Sequence, residues 1–314
     1  MIVLRWLKKH IVTLILLAVL LVGLGFLSYP TLADYWNSFH QSRAIMAYSE
    51  SVANMDREEY DRILSSAKAY NEAITQNGLH WTLTDDELAA YTRELNFNDD
   101  GNMGFITIEK INVMLPIYHG TSEAVLQTSI GHIESTSLPV GGEGSHCVLS
   151  GHRGLPSARL FTDLDKLVEG DTFTLNILSE TFTYQVDQIR VYELIDLSNL
   201  QLVPGKDYST LVTCTPYGIN THRLLVRGHR VENKQGDAQV VADAMQIETI
   251  YVVPFVGVPI LTVLLLFVLI TTRRRKVPAE LREMEELELD APGLEEFVQD
   301  ESGGKQRRKR TKKR

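Results

Sequence analysis

Two long uncharged apolar runs constrain this chain most strongly. The first covers 23 residues, from Ile11 to Ala33, and the second covers 24, from Thr249 to Thr272. About 20 apolar residues in a helix cross the roughly 30 Å hydrocarbon core of a bilayer. The sequence therefore predicts two transmembrane helices with a domain between them. A buried core helix is the poorer interpretation of the second run, because arginines follow it at once.

The charges that flank the two runs predict their orientation. Arg5, Lys8 and Lys9 precede the first run, and the cluster at 273–276 follows the second. Positive flanks stay in the cytoplasm, so we expect both termini inside and the domain outside. The two termini carry +3 each, which leaves −15 on the middle of a chain whose net charge is −9. Such an acidic domain argues against nucleic-acid binding.

A cleaved signal peptide is the alternative interpretation of the first run, but Pro30 to Ala33 is a poor match to a cleavage site. We therefore predict an uncleaved anchor. The predicted organisation is a cytoplasmic N-terminus (1–10), an anchor (11–33), a helical segment (34–102), a β-domain (103–232), a linker (233–248), a second transmembrane helix (249–272) and a charged cytoplasmic tail (273–314).

The segment 35–94 is rich in good helix formers, which predicts helices. The Asn-Gly pair at 77–78 interrupts it as a turn signal. Thr84 and Glu87 then have the spacing of a capping box, in which the hydroxyl caps the helix and the carboxylate reaches back. The polar cluster at 98–102 indicates a turn, and its spacing does not fit an EF-hand calcium loop.

From Met103 to Glu232 the sequence changes to short segments rich in β-branched and aromatic residues, separated by Gly, Pro and Asp. Several short strands at this spacing predict a mainly β fold, in the form of a closed or nearly closed antiparallel barrel.

The domain contains both cysteines of the chain. Cys214 ends the strand-like run TLVTC and precedes Thr-Pro-Tyr-Gly, so we expect a partly exposed thiol where a strand gives way to a loop. Cys147 lies in Cys-Val-Leu-Ser, and its apolar neighbours are typical of a buried core residue. A disulfide between the two stays open as an alternative, because the domain is predicted to lie outside the membrane.

His152 and Arg223 are the candidate partners of Cys214. His152 lies between glycines directly after a strand-like run, where the backbone can turn sharply. Arg223 follows Cys214 by nine residues, so a hairpin-like return would bring its permanently charged guanidinium beside the thiol. The competing candidates are His222 as the base, and Arg153 and Arg227 as the cation. A zinc site is an alternative use of His132, His146, Cys147 and His152, but their spacing is not one that zinc sites use.

Three stretches together resemble a sortase, and specifically a class C, pilin-polymerising sortase. They are TLVTCTPYGINTHRLLVRG, LSGHRGLPSARLFTDLDKL and INVMLPIYHGTSEAVL. The resemblance covers about Tyr35 to Val231 and implies an eight-stranded β-barrel. It also implies that His152, Cys214 and Arg223 form the catalytic set of a cysteine transpeptidase, with no cofactor and no metal.

One motif of the resembled class is missing. Class C sortases carry a lid with an Asp-Pro-aromatic motif just before the short helix that we predict from Thr84. The matching positions here read Trp81-Thr82-Leu83. We expect a lid that includes His80, Trp81 and Leu83, with Trp81 as the inserted group and without the acidic anchor. The alternative is that Trp81 packs the helical segment onto the barrel.

The resemblance implies a definite reaction and definite partners. The enzyme would cleave a Leu-Pro-X-Thr-Gly-like sorting signal and join pilin subunits through isopeptide bonds, by way of a thioacyl-enzyme. The implied partners are pilins or surface proteins with a sorting signal, the acceptor lysine of a pilin and the membrane of a Gram-positive envelope. Anchoring of proteins to the cell-wall peptide and a catalytically silent assembly scaffold are the alternatives.

Overall fold

The computed structural model describes residues 2–193 and 200–233, together with Leu261, Leu264 and Leu265. The chain divides into two units, Met1–Ile247 and Glu248–Arg314. Apart from those three leucines, which are helical, the predicted second transmembrane helix lies outside the described residues. The predicted tail (273–314) and nearly all of the predicted linker (233–248) lie outside them as well.

The N-terminal apolar run belongs to one very long helix. Helix α1 extends over 53 residues, from Ile2 to Asn54, and passes through Pro30 without ending. Within the described residues it is the one helix long and apolar enough to cross a membrane, and none of its most apolar window is buried. The predicted anchor and the start of the predicted helical segment are thus continuous.

Two shorter helices follow, α2 (Arg57–Asn77) and α3 (Asp85–Arg93). Gly78 ends α2 with φ of 84°, a conformation that glycine adopts without strain. The predicted capping box begins α3. The Glu87 amide donates to Thr84 Oγ1 at 3.3 Å, and the Thr84 amide donates to Glu87 Oε2 at 2.8 Å. Two amides that the helix itself leaves without partners are therefore satisfied.

Eight strands form a closed barrel in the order β1-β2-β3-β4-β7-β8-β6-β5. A short helix, α4 (Glu123–Leu126), lies between β2 and β3. The strands are β1 (Asn102–Ile108), β2 (Val113–His119), β3 (Ile130–His132), β4 (Ser145–Ser150), β5 (Thr172–Ile177), β6 (Glu180–Tyr192), β7 (Asp207–Thr215) and β8 (His222–Arg230).

The prediction of a closed, eight-stranded, mainly β barrel is confirmed, but the prediction that it is antiparallel throughout is wrong. Strand β2 pairs with β3 in parallel, and β4 pairs with β7 in parallel. Parallel neighbours need a crossover connection. The segment that holds α4 crosses from β2 to β3, and the β5–β6 hairpin lies between β4 and β7 in sequence. Parallel pairing depends on which distant segments become neighbours, and neither β4 nor β7 has the continuous apolar run that would indicate it.

Apolar side chains fill the barrel interior, and helices α2 and α3 are attached to its outside through apolar side chains and through buried polar groups. Asn71 of α2 donates to the carbonyl of Leu138 at 3.0 Å and accepts from the Leu138 amide at 2.7 Å. Tyr91 of α3 is 1% exposed, and its hydroxyl accepts from the Gly120 amide at 3.1 Å. These bonds fix the helices against the loops around β3.

His132 completes the attachment of α3. Its Nε2 lies 2.8 Å from the carbonyl oxygen of Ser137, and its Nδ1 lies 3.0 Å from the Tyr91 hydroxyl. A carbonyl oxygen only accepts, so Nε2 carries the proton and Nδ1 accepts from Tyr91. Burial lowers the pKa of this imidazole from 6.5 to about 4. His132 is therefore neutral in the folded protein at neutral pH.

Acid should destabilise the protein partly through His132. The unfolded state takes up this proton below about pH 6.5, but the folded state does not until about pH 4. Stability therefore falls as the pH drops through this window. At pH 5 the loss from this one residue is about 2 kcal/mol, since one pKa unit corresponds to about 1.4 kcal/mol.

The matched variant is His132→Gln, whose amide can donate to Ser137 and accept from Tyr91 but does not titrate. Thermal unfolding of the detergent-solubilised chain is compared at pH 7 and pH 5. We expect the difference between the two midpoints to be several degrees smaller in the variant. Equal pH dependence in the two proteins would show that His132 does not titrate in this range.

Candidate active site

Cys214 and Arg223 lie directly opposite each other near one end of the barrel. Cys214 is half-buried near the end of β7, and Arg223 is the second residue of the antiparallel strand β8. The two are Cα partners in the ladder. Directly opposite residues project to the same face, with Cβ atoms about 5 Å apart. The strand pairing therefore places the side chains of Arg223 and Cys214 next to each other on one face of the sheet.

His152 reaches the same end of the barrel from the other side of β7. Strand β4 runs parallel to β7, with Ser150 opposite Val212. The pairing continues past β4, because the Gly151 amide donates to the Val212 carbonyl at 3.1 Å and Thr213 Oγ1 donates to the Gly151 carbonyl at 2.7 Å. His152 is therefore level with Cys214.

The guanidinium of Arg223 is held by backbone oxygens. Its Nη1 donates to the carbonyls of Asn220 and His222, both at 3.2 Å. Asn220 has φ of 59°, the left-handed conformation that Asn tolerates, and it turns the chain back toward β8. Two carbonyl acceptors leave the other N–H groups of this fork for a ligand with negative charge.

The competing cations have other contacts. Arg153 has a side chain only 8% exposed, and its Nη2 pairs with Asp165 at 2.6 Å. Its Nη1 donates to Thr215 Oγ1 at 3.1 Å. Since Arg153 follows His152 and Thr215 follows Cys214, this bond ties the loop of His152 to the end of β7. Arg227 makes two 3.0 Å bonds to Asp187 and stacks over a tyrosine ring.

The second cysteine is far from this site. Cys147 is 2% exposed in the barrel core, and burial raises the pKa of its thiol well above the usual range. It lies opposite Ser209, five residues before Cys214 on β7. Five residues of strand span about 16 Å, far beyond the roughly 6 Å between the Cα atoms of a disulfide. Both cysteines are free, so the disulfide alternative is wrong.

Two of the three histidines of the zinc alternative are buried and bonded inside the protein. His132 has the two partners described above, and His146 bonds the Gln201 carbonyl at 3.1 Å and the Thr210 hydroxyl at 2.7 Å. Burial also lowers the pKa of His146 to about 4. The described part of the chain contains no group of three metal-ligating side chains that could hold an ion. His222 contacts the neighbouring Thr221 hydroxyl through Nδ1.

Glu123 is a neighbour of the site that sequence reasoning missed. It begins α4, and its Oε2 lies 3.9 Å from Nε2 of His152. The two residues are 29 positions apart in the chain, and Glu123 is largely exposed. A surface glutamate in a short helix carries no local signal of such proximity. The bond from Arg153 to Thr215 likewise has no local signal in the sequence.

Trp81 lies on the sheet face that carries Cys214 and Arg223. It packs against a small apolar cluster whose buried members are Val148, Leu200, Val212 and Leu225. Side chains alternate along strands, so Val212 projects to the same face as Cys214, and Leu225 to the same face as Arg223. The two residues of each pair are two positions apart along the strand, which corresponds to about 7 Å.

The segment before α3 is attached next to Trp81. His80 Nδ1 lies 3.0 Å from Glu87 Oε1, and Leu83 is half-buried. The amide of Thr84, followed by His80, lowers the pKa of Glu87 to about 2. Residues 80–87 therefore form a short, locally bonded connection that places Trp81 on the outer face of β4, β7 and β8. We call this face, which carries Val148, Val212, Cys214, Arg223 and Leu225, the groove face.

Comparison with known proteins gives the family. The family model described as the sortase domain matches residues 106–231. The solved structure of sortase C1 from Streptococcus agalactiae is 60% identical, with a TM-score of 0.60, and the match covers 61% of this chain and 100% of that one. The chain belongs to the sortase family. Sortases are cysteine transpeptidases, and these structural relatives are class C sortases.

Two further sortases show the range of similarity. Clostridium perfringens sortase C, solved with the C-terminal cell wall sorting motif, is 43% identical with a TM-score of 0.54, over 61% of this chain and 99% of that one. Sortase D of Bacillus subtilis is 32% identical over 131 residues, which is 41% of this chain. This alignment spans 63% of sortase D, so this chain matches less than two thirds of that curated relative.

The contrast between the two cysteines predicts selective labelling. We expect a charged, membrane-impermeant thiol reagent to modify Cys214 in the folded chain and to leave Cys147 unmodified, because the Cys147 thiol is buried and protonated. Peptide mapping by mass spectrometry locates the label. Cys147→Ala should label like wild type, and Cys214→Ala should label only after unfolding. Modification of Cys147 in the native protein would contradict the assignment.

Proposed function

We propose that this sortase is a membrane-anchored transpeptidase that uses Cys214, His152 and Arg223 to cut a Leu-Pro-X-Thr-Gly-like sorting signal and join pilin subunits. One observation carries the proposal. The ladder pairing sets Arg223 opposite Cys214, and the parallel pairing of β4 with β7 brings His152 level with both. A thiol, an imidazole and a guanidinium at one strand end are the groups that acyl transfer needs.

In the first half-reaction the Cys214 thiolate attacks the Thr carbonyl carbon of the sorting signal. Arg223 stabilises the negative charge that develops on the carbonyl oxygen. The Thr–Gly C–N bond then breaks, and His152 as imidazolium gives its proton to the leaving glycine amine. A thioester joins Cys214 to the Thr of the substrate, and His152 is left neutral.

In the second half-reaction an amine replaces the thiol. The acceptor nitrogen attacks the thioester carbonyl, neutral His152 takes a proton from that nitrogen, and the Cys214 thiolate leaves. A lysine side chain of another pilin as acceptor gives an isopeptide bond. The acceptor is inferred from the class C relatives. The donor class is supported by the relative solved with a cell wall sorting motif.

The membrane anchor of the proposal is α1. An apolar helical run with no buried residue in its most apolar window is costly to leave in water, and a bilayer removes this cost. We propose that 11–33 crosses the membrane and that the barrel stands on the outer side, as the flanking charges indicate. A second span at 249–272 and a cytoplasmic tail complete the proposed topology.

We propose further that 80–83 acts as a lid over the groove. The packing of Trp81 against the cluster that contains Val212 and Leu225 supports this role, because these two residues continue the sheet face of Cys214 and Arg223. The usual Asp-Pro motif is missing, and the bond between His80 and Glu87 is local to the segment. In this proposal the apolar contacts of Trp81 therefore hold the lid closed.

An assay with the detergent-solubilised chain, a sorting-signal peptide and a pilin tests the function. A covalent ladder of pilins indicates polymerisation, and peptide transfer to a wall peptide alone indicates anchoring. We expect Cys214→Ala to form no thioester. Arg223→Lys should lose roughly 10²–10³ in rate, because an oxyanion donor is worth that much and lysine lacks the planar fork.

Arg62→Lys on the exposed face of α2 is the matched control and should keep wild-type turnover. Near-full turnover of Arg223→Lys would remove Arg223 from the proposed site. No thioester with any sorting-signal peptide would leave the chain as an assembly scaffold and overturn the enzymatic proposal.

The lid predicts how fast Cys214 reacts with a small thiol reagent. Trp81→Ala should raise this rate a few-fold, because the apolar contact that closes the groove is lost. Deleting His80 to Leu83 should have a similarly modest effect. Leu88→Ala is the control, since Leu88 is 39% exposed on α3. A lowered melting temperature of Trp81→Ala with unchanged thiol reactivity would show that Trp81 only packs the helices onto the barrel.

A further inference from the structure

Helix α1 continues beyond the proposed membrane span and contacts the barrel directly. Asp34 Oδ1 accepts from the Arg159 amide at 2.8 Å. Asn37 Nδ2 donates to the Ser157 carbonyl at 2.8 Å, and Gln41 Nε2 donates to the Thr128 carbonyl at 2.6 Å. Positions 34, 37 and 41 lie on one face of a helix. All three side chains bond backbone atoms of the barrel loops, so they fix the position of the loop backbone.

These contacts begin where the apolar run ends. The 23 residues of the run span about 34 Å at 1.5 Å per residue, close to the roughly 30 Å of hydrocarbon in a bilayer. Asp34 is the first charged residue after it. The Arg159 loop is therefore bonded to the helix at the outer boundary of the membrane, on the side that the proposed topology places outside.

The same loop leads directly to His152. The Phe161 amide donates to the His152 carbonyl at 3.1 Å, and Phe161 is two residues from Arg159. Two residues span at most about 7 Å. The path from Asp34 through this loop to the His152 backbone is therefore about 13 Å. The opposite end of the barrel, where β7 begins at Asp207, lies about 26 Å beyond Thr215, at about 3.3 Å per residue.

Large apolar side chains are exposed at this end of the barrel. Trp36 on α1 is 65% exposed, and Tyr217 and Ile219 in the β7–β8 loop are 60% and 69% exposed. Tyr217 packs on the loop after His152, because a Cβ built on Gly154 would lie 3.0 Å from its ring. Tryptophan and tyrosine with an apolar body and a polar tip suit the headgroup region of a membrane.

We propose that the end of the barrel that carries Cys214 lies against the outer leaflet of the bilayer, with Tyr217 and Ile219 in contact with lipid. The bonds of Asp34, Asn37 and Gln41 attach α1 to the loops at this end, and Tyr48 attaches the same helix to β1 and to Leu178 farther along the barrel. The membrane span is continuous with this attached helix. The inference rests on the proposed membrane anchoring. It deepens the proposed function, because the site then accepts a substrate whose cut position is held within a few residues of the membrane.

Spin labels on the full chain, reconstituted in phosphatidylcholine–phosphatidylglycerol vesicles, test the placement. Ile219→Cys and Glu143→Cys are made in the Cys214→Ala background, where the remaining Cys147 is buried. Glu143 is exposed at the opposite end of the barrel and is the matched control. The ratio of collisions with oxygen to collisions with a water-soluble nickel chelate should be several-fold higher at 219 than at 143. Equal ratios would overturn the proposal.

The length of the linker between a peptide substrate and the membrane measures the height of the active site independently of the chemical step. Sorting-signal peptides are joined to a lipid anchor by linkers of increasing length, and one soluble peptide has no anchor. A linker of about four extended residues should suffice, since each spans about 3.3 Å. If turnover requires a linker that is about eight residues longer, the site lies as far from the membrane as the opposite end of the barrel, and the proposal is wrong. Turnover of neither kind of peptide would contradict the proposed function instead.

The bonds from α1 are tested with Asn37→Ala combined with Gln41→Ala. Turnover of the short-tethered peptide should fall several-fold while turnover of the soluble peptide stays unchanged. Ser38→Ala combined with Ser42→Ala is the control, because those hydroxyls bond only carbonyls of the same helix. Unchanged turnover of the short-tethered peptide in the Asn37/Gln41 variant would show that these bonds do not set the height of the site.

Discussion

The parallel pairing of β4 with β7 is the constraint on which the site depends. Parallel strands point their carboxyl ends the same way, so the second residue after β4 and the end of β7 meet at one end of the barrel. His152 and Cys214 come from these two positions. The antiparallel strand β8 then returns from the same end and sets Arg223 opposite Cys214. Residues from three strands thus converge without a long loop to position any of them.

Buried polar bonds keep this arrangement in place. Arg153 spans from the loop of His152 to Thr215, and its ion pair with Asp165 compensates the cost of burying its charge. At the outer face of β3, the Tyr91 hydroxyl joins α3 to His132. A buried donor or acceptor left without a partner costs about 1–3 kcal/mol. Loop conformations that break these bonds and leave the groups buried are therefore unfavourable.

One face of the β4-β7-β8 sheet carries both Cys214 and the apolar cluster that Trp81 covers. Alternation along the strands puts Cys147 in the core, and it puts Val148, Val212 and Cys214 on the groove face. The apolar part of this face is covered by Trp81. Asp34 and Asn37 of α1 bond the loops at the end of the barrel that carries Cys214, and Tyr48 of the same helix bonds Met103 and Leu178 near the other end.

Local features of the sequence determined much of this protein. The apolar run, the Thr84–Glu87 capping box and the different contexts of Cys147 and Cys214 each depend on a few neighbouring residues, and the structure agrees with them. Composition likewise indicated short strands in a barrel. The parallel pairings, the proximity of Glu123 to His152 and the tie from Arg153 to Thr215 were decided only by tertiary structure. Each joins residues far apart in the chain, and composition and periodicity report only the local environment of a segment.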